Sequence, residues 1–229
     1  MKLELVIFDM DGLMIDTEPT SKEGWRLGLE KYGFAFSAEL FETLIGRNLH
    51  GLKEKMEEYY GSNFDFHKVR KVRADYMVKH ITDGKLEMKK GLLDILDKLD
   101  ELKLKKCVAT STDWDSMNFK LGTLNLLKRF DGFMTGDRVE KGKPNPEIFL
   151  KAAALLNVPY SSCIVLEDSI NGIAAAHAAG MKSIVVPDTQ QPDAETLKNV
   201  YANCADLVEA ADVITRLLAE SRHLSGSRQ

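Results

Sequence analysis

Apolar and polar positions along this chain follow two rhythms. Near the start, Leu5-Val6-Ile7-Phe8 is an unbroken apolar run followed by Asp9 and Asp11, the pattern of a strand buried on both faces. From Thr17 the rhythm changes to helical. Trp25, Leu27 and Leu29 stand among charged residues. Phe41, Leu44 and Ile45 suggest a second helix, Leu52, Met56 and Tyr59-Tyr60 a third, and Val69, Val72, Tyr76 and Met77 a fourth. Gly46, Gly51, Gly61 and Gly84 punctuate these segments. No strand signal occurs between Thr17 and Lys85, so an all-helical block is expected directly after the first strand.

From Met88 helices and strands alternate. Leu92, Ile95, Leu96, Leu99 and Leu102 form one helical stripe, and Lys106–Ala109 is a short strand ending at Thr110-Ser111-Thr112. Asp113 can cap a helix running to Leu124. Phe130–Met134 reads as a weak strand, and Asn145-Pro146 as an N-cap followed by proline at the first helical position. Cys163–Leu166 is a strand that ends in Glu167-Asp168-Ser169. Ile170–Ala179 is an alanine-rich helix closed by Gly180, Ser183–Val186 a strand, and Val208–Leu218 a last helix. Such alternation predicts a parallel sheet with right-handed crossovers. The polar tail from Ser221 is expected to fray.

Composition narrows the function. The 229 residues include 44% hydrophobic ones, enough for a core domain with an insertion, and 31 basic residues against 35 acidic ones give no nucleic-acid footprint. No stretch approaches the ~18 apolar residues of a membrane span, and no signal-peptide pattern opens the chain. Cys107, Cys163 and Cys204 are widely spaced, without a CxxC pair, which suggests buried thiols in a reducing cytoplasmic setting. A monomer is the default expectation.

The chemistry lies where strands end. Asp9 and Asp11, Thr110 and Ser111, and Glu167 and Asp168 each follow a predicted strand, and a parallel sheet gathers those ends on one edge. Lys143 lies in the loop before a capped helix. Crowded carboxylates repel one another unless a hard cation neutralises them, and an all-oxygen donor set selects Mg2+. A threonine, a lysine and helix-start amides make an anion site. Together these groups describe phosphoryl transfer. The plainer alternatives are that Asp9 and Asp11 open a solvated turn at Gly12, and that Lys143 is an exposed lysine like Lys141. The spacing fails as an EF-hand, since Leu13 and Met14 fall at its next ligand and glycine positions, and no Walker loop, G-x-G-x-x-G or G-x-S-x-G is present.

The set Asp9-x-Asp11-Gly12, Thr110, Lys143-Pro144 and Glu167-Asp168-Ser169, in this order, resembles the four motifs of the haloacid dehalogenase superfamily of aspartate-nucleophile phosphohydrolases. The resemblance spans about Leu3 to Leu218, and points to the β-phosphoglucomutase-like and pseudouridine-5'-phosphatase-like branch. It implies an α/β fold: a Rossmann-like doubly wound parallel sheet core (1–16 and 87–229) with an inserted all-α four-helix cap domain (17–86). It further implies an Mg2+-dependent phosphatase acting on a small phosphorylated metabolite, a sugar or nucleoside phosphate. Asp9 would be the nucleophile and Asp11 the general acid and base. Thr110, Lys143 and amides near Ser111 would hold the phosphoryl group. Asp9, Asp11 through its carbonyl and Asp168 would hold the metal, with Glu167 ligating directly or through water.

From the cap, Glu18, Gly46 and Arg47 are candidates for substrate contact, with Lys79 a weaker one; Arg47 reads equally well as a surface arginine. The basic run Lys68, Arg70, Lys71, Arg73 is expected to be a solvated face, and Trp25 and Tyr59-Tyr60 to be cap core. A phosphomutase of the β-phosphoglucomutase type is the alternative function. That branch carries a histidine where Ser21 stands here, which favours hydrolysis. A non-catalytic receiver-like signalling domain is a more distant alternative, because receivers place their phosphoacceptor at a later strand and lack a large helical insertion.

Overall fold

The computed structural model describes residues 2–226 and, for 221–226, the course of the helix alone. The elements run β1 (Leu5–Phe8), α1 (Glu18–Lys31), α2 (Ala38–Leu44), α3 (Leu49–Tyr60), α4 (Phe66–Thr82), α5 (Leu92–Glu101), β2 (Lys105–Thr110), α6 (Trp114–Thr123), β3 (Gly132–Thr135), α7 (Glu147–Leu155), β4 (Cys163–Glu167), α8 (Ile170–Ala178), β5 (Lys182–Val185), α9 (Ala194–Leu197), β6 (Ala202–Asn203) and α10 (Leu207–Gly226).

The sheet has six strands in the order β3-β2-β1-β4-β5-β6, and every neighbouring pair is parallel. β1 lies between β2 and β4, with Phe8 opposite both Val108 and Leu166. The chain therefore extends the sheet in opposite directions from β1, and the crevice beyond its C-terminal end is the place where open α/β sheets bind ligands.

Strand alternation divides the core into two layers. Val6, Phe8, Val108, Ile164, Leu166 and Ile184 meet the stripes of α5, α6 and α10, including Ile95, Leu99, Leu121 and Ile214. Leu5, Ile7, Cys107, Ala109, Cys163 and Val165 meet α7 and α8 through Phe149, Ala152, Ala175 and Ala176. The alanines of α8 let that helix lie close to the sheet. The helices α1–α4 enclose a separate cluster of Trp25, Leu29, Phe41, Met56, Phe66 and Val69, and α1 packs chiefly along α4.

Several details depart from the sequence reading. The short β6 and α9 carry too few residues to give a periodic signal. Asn145 does not cap α7. Pro146 stands at the N-cap, and the Asn145 side chain accepts a hydrogen bond from the Glu147 amide. The expected fraying from Ser221 does not hold for the first part of the tail, because α10 continues to Gly226; residues 227–229 lie outside the described residues. The three thiols are free and buried. Among the described residues no helix is long and apolar enough to cross a membrane.

Candidate active site

Each strand of the central trio delivers its polar group at the same level. Asp9 follows β1, and its amide bonds the Leu166 carbonyl at 3.0 Å, which fixes it beside the end of β4. Thr110 closes β2 and is fully buried, and its Oγ1 accepts from the Thr112 amide. Glu167 closes β4, and Asp168 and Ser169 lead into α8, whose first turn Ser169 caps. Gly12 turns the chain away from β1 at φ +89°, and a side chain there would stand 2.3 Å from Asp168 Oδ2. Glycine thus lets the first loop lie directly against the last carboxylate.

Lys143 is 3% exposed and its ammonium bonds both Asp9 Oδ1 and Glu167 Oε1. It is therefore not an exposed lysine like Lys141. Burial pushes the Asp9 carboxyl up; Lys143 opposes this and Glu167 and Asp11 add to it, leaving it at about 7. For Lys143 burial acts downward, but the charges of Asp9 and Glu167 prevail and raise it. Buried charges persist only when paired in this way.

Asp11 has its own set of donors: Thr17 Oγ1 and Lys120 Nζ on Oδ1 at 2.7 and 2.5 Å, and Thr112 Oγ1 on Oδ2 at 2.7 Å. Burial works to raise its carboxyl, but Lys120 and the two threonine bonds bring it below the usual carboxylate range. Asp168 has no ion-pair partner among the described residues. Burial, then the nearby Glu167 and Asp9 charges, raise it well above the ordinary range.

Glu167, expected at the metal directly or through water, is hydrogen-bonded through both oxygens. Its Oε2 accepts from the Asp168 and Ser169 amides and the Ser169 hydroxyl, and its Oε1 from Lys143. With its oxygens so engaged, it anchors the lysine and the loop. Among the described residues no three His, Cys, Asp or Glu side chains are arranged to hold an ion. The donors available at the edge are therefore two carboxylates, Asp9 and Asp168, with main-chain oxygen beside them.

Above the edge lies a cavity of about 540 Å³ between the sheet and α1–α4. Gly46 and Ser111 both border it and touch each other, the Ser111 hydroxyl donating to the Gly46 carbonyl at 2.9 Å. Gly46 has φ +77°, and a side chain would stand 2.8 Å from Ser169 Oγ, so this junction also requires glycine. Glu18 lines the cavity, and burial followed by the Asp11 charge raises its carboxyl to about 7 against the pull of Arg73. Arg47 borders the cavity too, with Nε on the Thr43 carbonyl. Lys79 instead pairs with Asp83 at the surface.

The basic run of α4 is not uniformly a solvated face. Lys68 and Lys71 are exposed and pair with Asp65 and Asp75. Arg70 and Arg73, three apart on the opposite side, line the cavity. Arg73 lies over the Trp25 ring and donates to Ser21 Oγ. Ser21 thus accepts a guanidinium bond where the mutase branch would carry histidine. Trp25 belongs to the helical cluster as expected, Tyr60 packs against it, and Tyr59 is exposed.

Sequence reading gave no role at the site to Lys120, Thr112 or Asp188, and took Arg73 for part of a solvated face. Asp188 follows β5 at the same edge, pairs with Lys89 through Oδ1, and leaves a buried Oδ2 without a partner near Gly12. Its signal was the Pro-Asp step ending a strand. Lys120 had none, being one lysine within an amphipathic helix.

A family model described as haloacid dehalogenase-like hydrolase matches residues 6–186. The chain is 36% identical over 185 residues to a phosphorylated carbohydrates phosphatase of Thermotoga maritima, covering 80% of this chain and 84% of that protein. It is 30% identical over 181 residues to fructose-1-phosphate phosphatase of Escherichia coli, covering 79% and 95% respectively. Its fold matches the crystal structure of a β-phosphoglucomutase from Clostridium difficile with a TM-score of 0.79, at 25% identity, over 99% of this chain and all of that one.

Proposed function

The chain belongs to the haloacid dehalogenase-like hydrolase family as a phosphoric monoester hydrolase, and we propose that it hydrolyses a small phosphorylated sugar or nucleoside with Mg2+, through a phosphoaspartate on Asp9. The observation that carries this reading is the buried Lys143 ammonium shared by Asp9 and Glu167 at the sheet edge. It holds a carboxylate in reach of the cavity and leaves positive charge for phosphoryl oxygens.

The residues fit a divalent cation. Four carboxylates, Asp9, Asp11, Glu167 and Asp168, face two ammonium groups, Lys143 and Lys120, and Asp168 has no ion-pair partner among the described residues. Asp9, the Asp11 carbonyl and Asp168 would hold Mg2+, with Asp188 behind them. The bound ion supplies neutralisation of charge on the phosphoryl oxygens.

Phosphate monoesters are among the slowest substrates to hydrolyse unaided, and a covalent intermediate divides the barrier. An Asp9 oxygen attacks phosphorus in line; the ester P–O bond breaks, and the leaving oxygen takes a proton from Asp11, which must acquire it as substrate binds because Lys120 and the two threonines hold the carboxyl ionised in the free protein. Water then attacks the phosphorus of the acyl phosphate, giving its proton to Asp11. Phosphate leaves and both carboxyls return to their starting states. Thr110 and Lys143 orient the transferred group. The α1–α4 block acts as a cap that keeps water from the phosphoryl group until it has moved, with Glu18, Gly46, Arg47 and Ser111 at the substrate. The Arg73–Ser21 contact, in place of a histidine, supports hydrolysis over isomerisation.

The test is release of phosphate from ribose 5-phosphate, fructose 1-phosphate, uridine 5'-phosphate and p-nitrophenyl phosphate, with Mg2+ and with EDTA. Turnover that requires Mg2+ is expected. Absence of phosphate release from every compound would overturn the reading.

A further inference from the structure

The four motifs leave one carboxylate at the sheet edge without a role. Asp188 follows β5, where the Val186 amide donates to the Glu167 carbonyl at 2.8 Å and ties the end of that strand to the end of β4. Asp188 is thereby brought down beside Asp168. A side chain at Gly12 would meet Asp168 Oδ2 at 2.3 Å and Asp188 Oδ2 at 3.4 Å, so both oxygens border the same point of the first loop. The two oxygens of Asp188 are used unequally. Oδ1 takes the Lys89 ammonium at 2.6 Å. Oδ2 is closed off from solvent and has no hydrogen-bond partner among the described residues.

An ordinary ion pair with Lys89 accounts for Oδ1 and leaves Oδ2 unexplained. Lys89 is also divided, with Asp16 3.6 Å away on its other side. A carboxylate oxygen shut away without a donor costs free energy, and native structures rarely tolerate one without a use for it. Its neighbour Asp168 is 4% exposed and has no ion-pair partner among the described residues either. Two such carboxylates side by side repel each other unless positive charge and donors come between them. Mg2+ brings both, since it keeps several of its waters where a protein offers it few oxygens.

We propose that Asp188 is a positioning residue of the Mg2+ site: Oδ2 accepts a hydrogen bond from the hydration shell of the ion and adds negative charge behind Asp168. Lys89 holds Oδ1 and fixes the rotation of the carboxyl. This rests on the Mg2+-dependent phosphatase reading above. Asp188 touches neither substrate nor phosphorus, and its contribution is to how tightly the ion is held.

The test is binding of Mg2+ itself. Melting temperature measured against MgCl2 in phosphate-free buffer gives an apparent Kd without turnover. Asp188→Asn keeps the shape and removes the charge, and is expected to weaken Mg2+ about 10- to 100-fold, the usual loss when a group supporting a metal site is removed. Lys89→Met breaks the same ion pair but leaves the carboxylate, and is expected to bind Mg2+ at least as tightly as wild type. A purely structural pair would give the two variants the same effect.

Unchanged Mg2+ affinity in Asp188→Asn, or equal weakening in Asp188→Asn and Lys89→Met, overturns the inference. Should the asparagine variant not fold by circular dichroism, Asp188→Ser carries the same comparison with the same expectation, and unchanged affinity there overturns the inference equally. Wild-type protein whose melting temperature ignores MgCl2 overturns it as well. Wild-type protein that binds Mg2+ yet releases phosphate from no compound of the panel overturns the phosphatase reading instead, so the two failures are distinct.

Discussion

Replacing Lys143 by methionine removes the ammonium shared by Asp9 and Glu167. Lys143 is 3% exposed and Glu167 fully buried, so no solvent replaces the lost charge. Breaking a buried pair by deleting one partner costs about 3–5 kcal/mol, against the 5–15 kcal/mol that holds a typical domain. At about 2–4 °C per kcal/mol for a chain of this size, the melting temperature should fall by about 6–20 °C. The loss must also depend on pH. Without Lys143, burial and the neighbouring Glu167 charge hold the folded-state Asp9 carboxyl further above its value in the unfolded chain. Carboxyls raised in this way keep their contribution at low pH and lose it as pH rises through the folded value. The deficit relative to wild type should therefore be large at pH 8 and smaller at pH 5. Thermal melts in EDTA at both pH values test this, with exposed Lys141→Met as the control expected within about 0.5 kcal/mol. A Lys143→Met deficit under about 1 kcal/mol at pH 8, or an equal deficit at pH 5, would refute the description of Lys143 as the counter-ion of two buried carboxylates.

Other expectations follow from the same geometry. Glu18→Gln should raise stability in EDTA by about 1–2 kcal/mol at pH 8 and by little at pH 5, because burial and Asp11 hold the Glu18 carboxyl at about 7; equal melting shifts at the two pH values would contradict this. Gly12→Ala should destabilise by more than about 1 kcal/mol and weaken the Mg2+ dependence of turnover, since the new methyl would stand on Asp168; a variant with wild-type Mg2+ titration would contradict the close approach. Arg47→Ala should reorder the sugar and nucleoside phosphates while changing p-nitrophenyl phosphate turnover less. An equal loss on all substrates would remove Arg47 from the specificity residues.

What the sequence disclosed and what it withheld differ for a physical reason. Asp9, Asp11, Thr110, Glu167 and Asp168 were legible because a polar group set directly at the end of a buried apolar strand needs a compensating partner there. The alternation of Val6 and Phe8 against Leu5 and Ile7 on the two faces followed from strand geometry alone. Lys143 was visible through its place in a loop just ahead of the proline that opens α7. Lys120 and Arg73 were hidden because a charged residue on a helix is ordinarily solvated, and only packing of α6 and α4 decides which face turns inward. Hidden too was the way the β4–α8 loop folds the Glu167 side chain back on the Asp168 and Ser169 amides. The helix α10 runs to Gly226, past Leu217, which ends the run of residues described as buried.

The central claim is that Asp9 takes the phosphoryl group. Protein acid-quenched during turnover of a 32P-labelled substrate, digested and mapped by mass spectrometry, should carry hydroxylamine-sensitive label on the peptide containing Asp9, and Asp9→Asn should be folded, unlabelled and inactive. Turnover by Asp9→Asn, or label on any other residue, would contradict the account.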